Sequence, residues 1–515
     1  MIPGADLSAP FGTIAALIRR HAQEAPQRRA LQQEGQALDY AALDALMDRV
    51  AAALQRDGVH PGEAVAICAA TSLAYAVTYL GALRAGVVVA PLAPGSTPDS
   101  LEGMVRDAGA CLLFTDREVA RAMGSRAAAV PRILLDDAGG GLGWPQWLAP
   151  AGARVPDAAV DADWPFNIIY SSGTTGEPKG IVQPHGMRWA HVQRGATYGY
   201  GPDTVTLLST PLYSNTTLVV FFPTLAYGGT VLLMGKFDAA AYLTLAAREH
   251  VTHTMLVPVQ YQRLMAHPVF GQHDLSSFRM KFSTSAPFAA ALKADVLARW
   301  PGGLVEFYGM TEGGGTCILE AHLHPDKLHT VGQPAPGHDI RLIDEDGREL
   351  TAGEAGEVVG HSPGMMKGYH GRPEKTREAE WYAPDGKRFI RTGDLGRFDA
   401  EGFLTLFDRR KDMIISGGFN IYPSDLEAVL REHPAVQDVA VVGVPSEQWG
   451  ETPVAYVVPR EDAIPQADVL RDWMNQRVGK TQRLADLRYI TELPRSAIGK
   501  VLKRELREQY AVHRK

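Results

Sequence analysis

The stretch 64-AVAICAATSLAYAVTYLGALRAGVVVAPL-92 reads as strand, helix, strand. Its two apolar runs, 64–70 and 87–92, have the length of buried strands, and the segment from Ala74 to Gly86 between them has the length of a helix. Arg84 and Gly86 supply a basic last turn and a glycine beyond it, two signals that stop a helix. Outward from this unit the alternation continues through 112-LLFTD-116 and 229-GTVLLMG-235. That pattern predicts an α/β fold with mostly parallel sheets covered by helices. An amphipathic helix is predicted near the start, over Thr13 to His21, and 139-GGGLG-143 reads as a turn.

A chain of 515 residues exceeds the roughly 150 to 250 of one domain, so two or three folding units are expected. With 45% hydrophobic and 21% charged residues the composition is that of an ordinary globular protein. A net charge of -7 offers no global attraction for nucleic acid or an anionic membrane, so an anionic ligand needs a local site. Cys68, Cys111 and Cys317 lie far apart without metal-ligand spacing and read as thiols in a reducing compartment. No uninterrupted apolar run reaches about 18 residues. The expectation is a cytoplasmic protein without membrane insertion, either monomer or homodimer.

The texture changes after residue 410. Short strands in 412-DMIISGG-418, 439-VAVVGV-444 and 453-PVAYVV-458 alternate with helices over 424–433 and 467–477, and Ser424 and Glu427 have capping-box spacing. The predicted division is a large N-terminal domain, 1–410, that includes a small β-barrel-like part, and a small mobile α+β domain, 411–515.

One loop asks for a ligand. In 170-YSSGTTGEPKG-180 an apolar strand is followed by hydroxyls, glycines and one lysine, which leaves backbone N–H groups open for a polyanion. A nucleotide P-loop requires Gly-Lys-Ser/Thr in succession. Here Glu177 and Pro178 separate Gly176 from Lys179, and that alternative fails on spacing.

The loop is followed in order by 308-YGMTEGG-314, 391-RTGDL-395, 408-DRRKDMIISGGFNIYPSDLE-427 and 494-PRSAIGK-500. This succession resembles the adenylate-forming superfamily of acyl-CoA synthetases, aryl-CoA ligases, luciferases and peptide-synthetase adenylation domains, over essentially the whole chain. The resemblance implies an ATP-dependent carboxylate–CoA ligase: the acid attacks the α-phosphorus of ATP, pyrophosphate leaves, and the acyl group passes to the CoA thiol. ATP, Mg2+ and coenzyme A are the implied cofactors, and the partners are small molecules.

By the same resemblance Ser171, Ser172, Gly173, Thr174, Thr175, Gly176 and Lys179 hold the departing pyrophosphate. Thr311 meets the α-phosphate, and Glu312 holds Mg2+, a hard cation that keeps several waters and needs few protein carboxylates. Tyr308 and Gly309 lie along one side of the adenine and Ser285, Ala286 and Pro287 along the other. Asp394 accepts both ribose hydroxyls, which suits an ionised acceptor, and Arg409 lies near them. Lys500 bridges the substrate carboxylate and the α-phosphate, a placement that lowers the barrier more than it tightens the ground state. Lys411 is the implied hinge of a domain rotation that removes Lys500 and brings in Gly417 and Gly418. Those glycines and Trp449 resemble parts of the CoA channel, while the usual Lys-x-Pro is replaced by 480-KTQRLADLR-488, with Arg483 at about its place.

Two departures bear on the acid. In 211-PLYSNTT-217 Ser214 replaces a frequent histidine at the pocket mouth, and no acidic residue lies from Thr210 to Phe222 to balance the ammonium of an amino acid. In 283-STSAPF-288 Thr284 and Ser285 replace the common Gly-Gly. With Tyr213, Asn215, Thr216 and Thr217 they imply a hydroxyl-bearing pocket to which Tyr261, Phe222 and Gly309 add walls. The expected substrate is an aromatic or ring-containing acid. Alternatives are a medium-chain fatty acid, or transfer to a free-standing carrier protein, since the chain ends soon after Lys500. A catalytically silent nucleotide-binding relative is disfavoured by the intact motif residues.

Overall fold

The crossover unit forms as read. In a computed structural model, Ala64–Cys68 and Val88–Pro91 are parallel neighbours joined through the helix Leu73–Arg84. Ser72 starts that helix by accepting a hydrogen bond from the Tyr75 N–H (3.1 Å). The helix is apolar on most faces because it is enclosed, every residue from Tyr75 to Arg84 being buried. At Gly81 it approaches the helix Tyr40–Arg56 so closely that a Cβ would lie 2.5 Å from that of Val50. The residues described are 6–136, 142–171, 178–351, 353–409, 412–416, 419–446, 449–460, 464–496 and 499–512. Most of the 139–143 turn lies outside them.

The chain divides into two compact units. The first comprises 1–328, 334–339 and 361–390, and the second 329–333, 340–360 and 391–515. The first unit holds two large sheets. One has the spatial order Gly368–Tyr369, Lys179–Pro184, Pro165–Ser171, Val88–Pro91, Ala64–Cys68, Ala110–Thr115, Arg132–Leu134, Leu142–Gly143. Along the main run of the other lie Thr316–Glu320, Gly303–Gly309, Met280–Ser283, His253–Leu256, Val205–Leu208, Thr230–Leu233 and Arg29–Gln33. From Met280–Ser283 to its neighbours on either side the pairing is parallel, as the apolar runs predicted. The N-terminal helix runs Ile14–Glu24, with Thr13 accepting from the Ala16 N–H.

In the second unit Gly450–Pro459 pairs antiparallel with Val436–Ser446 and parallel with Asp486–Tyr489. Helices Pro423–Arg431 and Ala467–Asn475 contribute Leu426, Leu430, Leu470 and Met474 to the core. The expected capping box is absent. Pro423 occupies the first turn, so Tyr422 is the N-cap, and the Glu427 carboxylate instead accepts from the Val441 N–H (2.9 Å) and pairs with Lys503 (3.0 Å). The three cysteines are unbridged. Among the described residues no helix is long and apolar enough to cross a membrane.

Candidate active site

The carboxyl ends of parallel strands are where open α/β sheets bind ligands. Strands ending at Leu208, Ser283 and Gly309 lead into 211–217, 284–288 and 310–313, so one sheet edge collects three of the segments singled out in the sequence. The fourth starts from the other sheet. Ser171 and Lys179 are cross-strand partners and close the two ends of the glycine-rich loop, whose residues Ser172, Gly173, Thr174, Thr175 and Gly176 lie outside the described residues. Gly180 follows because a Cβ there would meet Ile168 at 2.8 Å and the Tyr170 ring at 3.2 Å.

Lys179 and Glu312 converge on Tyr369, a residue that sequence reasoning missed. The Lys179 Nζ stands 5.0 Å from the centre of the Tyr369 ring, and the Tyr369 hydroxyl donates to Glu312 Oε1 (2.9 Å). Burial and the adjacent Glu312 carboxylate push the Tyr369 phenol well above its ordinary range, so it remains a donor. Main-chain bonds from Met366 N to Glu312 O (2.8 Å) and from His370 N to Gly180 O (2.7 Å) pin the Tyr369 segment to both neighbours. A tyrosine in the two-residue strand Gly368–Tyr369 carries no sequence signal of its own.

Thr311 is held through its main chain, since Gln183 Nε2 donates to its carbonyl at 2.6 Å. Here a signal existed: Gln183 is a polar residue between the apolar Ile181 and Val182 on one side and Pro184 on the other, and it is fully buried. Tyr308 is half-buried opposite Cys317, and Gly309 is exposed at the strand end. Ala286 is half-buried and Pro287 exposed. Ser285 has φ +79°, the left-handed region that its common glycine counterpart enters freely.

The segments expected to line the acid offer fewer free hydroxyls than their sequence implies. Ser214 is buried and caps the helix Asn215–Ala226, its Oγ accepting from the Thr216 N–H (3.3 Å), and Thr217 Oγ1 donates to Pro211 O (2.7 Å). Thr284 Oγ1 donates to Phe307 O (2.8 Å). Main-chain acceptors and helix ends thus take three of the hydroxyls. The remaining pair, Thr216 Oγ1 and Ser285 Oγ, lie 2.6 Å apart and join the helix to the 284–288 segment. Tyr261 has no exposed surface: its hydroxyl donates to Phe282 O (2.9 Å) and its ring stacks on Phe288, so it is core and not pocket wall. Phe222 packs edge-on to Tyr79 and Phe166 and is core likewise. Tyr213 is half-buried, its phenol pushed up to about 12 by burial and by Cys68.

The remaining residues belong to the second unit. Asp394 faces Arg409 directly across an antiparallel pair, and the Asp394 N–H is anchored on Thr392 Oγ1 (3.0 Å); the Arg409 side chain is outside the description. Lys500 follows a tight turn in which Gly499, at φ +76°, donates to Ser496 O (2.8 Å) and Ser496 N to Lys500 O (2.8 Å). Trp449 is exposed. Lys411, Gly417 and Gly418 lie outside the described residues.

The family described as AMP-binding enzyme matches residues 18–370, and the AMP-binding enzyme C-terminal domain matches 425–500. The chain belongs to the AMP-binding enzyme family. Feruloyl-CoA synthase from Amycolatopsis sp is 36% identical over 496 residues, covering 95% of this chain and 98% of its own. Indoleacetate–CoA ligase from Aromatoleum aromaticum is 33% identical over 509 residues, with 96% and 97% covered. The crystal structure of ATP-bound MatB from Rhodopseudomonas palustris superposes with a TM-score of 0.89 at 31% identity, over 97% of this chain and 100% of that one. This AMP-binding enzyme is therefore an AMP-forming acyl-CoA synthetase that joins a carboxylate to CoA with ATP and Mg2+.

The residues fit the metal. No group of three or more His, Cys, Asp or Glu among the described residues could hold an ion alone, whereas Mg2+ carried on nucleotide phosphates needs little more than one carboxylate. Glu312 offers one, oriented by Tyr369 through a single oxygen.

Proposed function

We propose that this AMP-binding enzyme activates an aromatic or ring-containing carboxylic acid and transfers it to CoA. The observation that carries the reading is the Thr216–Ser285 hydroxyl pair, which bridges the first turn of the helix Asn215–Ala226 and the segment that follows the strand Met280–Ser283. Such a bridge gives a mostly apolar pocket one polar point, as a ring bearing a polar substituent requires and a plain alkyl chain does not. Feruloyl and indoleacetyl groups, named in two relatives, both contain an aromatic ring.

The roles are those that the resemblance to the adenylate-forming superfamily implies. Lys179 and the 171–176 loop hold the leaving pyrophosphate, Thr311 meets the α-phosphate, and Asp394 and Arg409 hold the ribose. Tyr308, Gly309 and 285–287 flank the adenine. Tyr213 and Asn215 line the acid side. Bound Mg2+ supplies charge neutralisation at the phosphates, and Glu312 would hold it, its carboxylate kept in place by the Tyr369 proton. Lys500 stabilises charge developing between carboxylate and α-phosphate. The functional boundary is at 410/411, with Lys411 as hinge and Gly417, Gly418 and Trp449 on the CoA side.

Incubation with ATP, CoA or a free carrier protein, and acids from acetate through hexanoate and benzoate to a hydroxycinnamate, read by mass spectrometry, tests the substrate. Ring-bearing acyl-CoA is expected to dominate, and a preference for hexanoate or for the carrier protein would overturn the reading. Lys500→Ala should lose acyl-adenylate formation by about a hundredfold yet convert supplied acyl-adenylate. Lys411→Pro should do the reverse, and equal loss of both half-reactions in either variant breaks the assignment.

A further inference from the structure

Arg188, in the helix His185–Arg194, has no place in the mechanism above, yet it is a cation 1% exposed. Its Nη2 donates to Gln183 Oε1, and its guanidinium lies 5.7 Å from the centre of the Phe166 ring and 6.0 Å from that of Phe222. The Nε and Nη1 groups have no hydrogen-bond partner among the described residues. Burial lowers its pKa to about 10, so it stays charged at neutral pH. A buried cation with two unmatched donors costs stability, and a hydrophobic side chain of similar size would fit these aromatic neighbours better.

Gln183 explains the retention. Its amide has an acceptor end and a donor end, and packing alone can turn it either way. Nε2 donates to Thr311 O (2.6 Å) and stands 3.5 Å from Asn215 Oδ1, so one amide supports both the threonine before Glu312 and the first residue of the acid-side helix. Turned over, it would set its oxygen against the Thr311 carbonyl. A guanidinium carries donors only, so its presence forces the amide oxygen toward itself and the NH2 toward Thr311.

We propose that Arg188 is a positioning residue for adenylation, acting through Gln183 to hold Thr311 and Asn215 in register, and kept at the expense of stability. This rests on the assignment of Thr311 to the α-phosphate. A group placed so affects the transition state more than nucleotide binding, and the expected signature separates activity from stability.

The test compares wild type, Arg188→Leu, Arg188→Lys, Gln183→Leu and Gln183→Glu for pyrophosphate release, KM for ATP and Tm. Arg188→Leu should lower kcat about tenfold or more, with KM for ATP within about twofold and Tm equal or higher. Arg188→Lys, which retains a donor for Gln183, should recover most of the loss. Gln183→Glu, which pairs with Arg188 but cannot donate to Thr311, should be as impaired as Gln183→Leu. Unchanged kcat in Arg188→Leu, a loss that tracks a lowered Tm, or a fully active Gln183→Glu would each overturn the relay. Wild type without activity on any acid would instead break the functional reading on which the relay rests.

Discussion

Arg84 and Arg188 are both buried arginines on helices of the same unit, and they are buried in opposite ways. Arg84 Nη2 pairs with Asp44 (2.6 Å), Nη1 with Asp48 (3.0 Å), and Nε lies 3.1 Å from Asp157, while Arg19 and Arg154 add charge to the same aspartates. Desolvation raises the Asp157 carboxyl despite these neighbours, but every aspartate there has a cation. Arg188 has one neutral amide and two aromatic faces. A charge surrounded by counter-charges holds elements together, whereas one left partly unmatched beside reactive segments is informative about function.

The largest expected effect attacks the paired end of that comparison. Arg84→Leu takes the fully buried cation from Asp44 and Asp48 and leaves them Arg19 and the exposed Arg154, so the loss approaches the about 3 to 5 kcal/mol of breaking a buried ion pair without exceeding it. Urea unfolding reads it directly. If Arg84→Leu and Arg188→Leu shift the midpoint alike, the contrast between the two arginines is empty.

Acid should expose the next effect through buried histidines that the fold keeps neutral. His253 is fully partnered in that form, Nε2 donating to Tyr198 O (2.9 Å) and Nδ1 accepting from Thr252 Oγ1 (2.8 Å). Burial lowers His253, and likewise His185, to about 4. Between about 6.5 and 4 the unfolded chain therefore binds more protons than the folded one, and stability is lost as pH falls through that window. From pH 7 to 5 each such histidine accounts for about 2 kcal/mol. His253→Gln should flatten the decline in unfolding free energy, and an unaltered slope would remove His253 from the account.

Tyr369→Phe probes the partnered carboxylate at the reactive edge. Losing the hydrogen bond to Glu312 should lower adenylation kcat about tenfold, or about 1.4 kcal/mol, and more at limiting Mg2+. Indifference to Mg2+ concentration would mean that Tyr369 does not orient the metal carboxylate. The smallest effect is at Ser285, where strain and a hydrogen bond oppose each other. Ser285→Gly should be more stable to unfolding than Ser285→Ala by about 0.5 to 1 kcal/mol and melt correspondingly higher, because glycine enters φ +79° freely. Coincident melting would show that the Ala variant relaxes the backbone.

What the residues alone determined was the local and the modular: the strand–helix–strand unit at 64–92, the existence of a helix near the start, and the order of motifs that marks an AMP-binding enzyme. Periodicity and end signals act within a few residues, and ordered motifs keep their chemistry wherever the chain carries them. Long-range partners were not legible. Arg84 does stand in the last turn of its helix, but nothing in its neighbourhood in the chain shows that its side chain reaches aspartates 36 and 40 residues away. Ser424 and Glu427 had capping-box spacing, but Pro423 moved the cap, and Glu427 took its partners from Val441 and Lys503. The pocket hydroxyls looked alike in one dimension. Tertiary structure gave Ser214, Thr217 and Thr284 main-chain partners and left Thr216 and Ser285 to each other, because each hydroxyl takes whichever donor or acceptor the packed chain brings within hydrogen-bond distance.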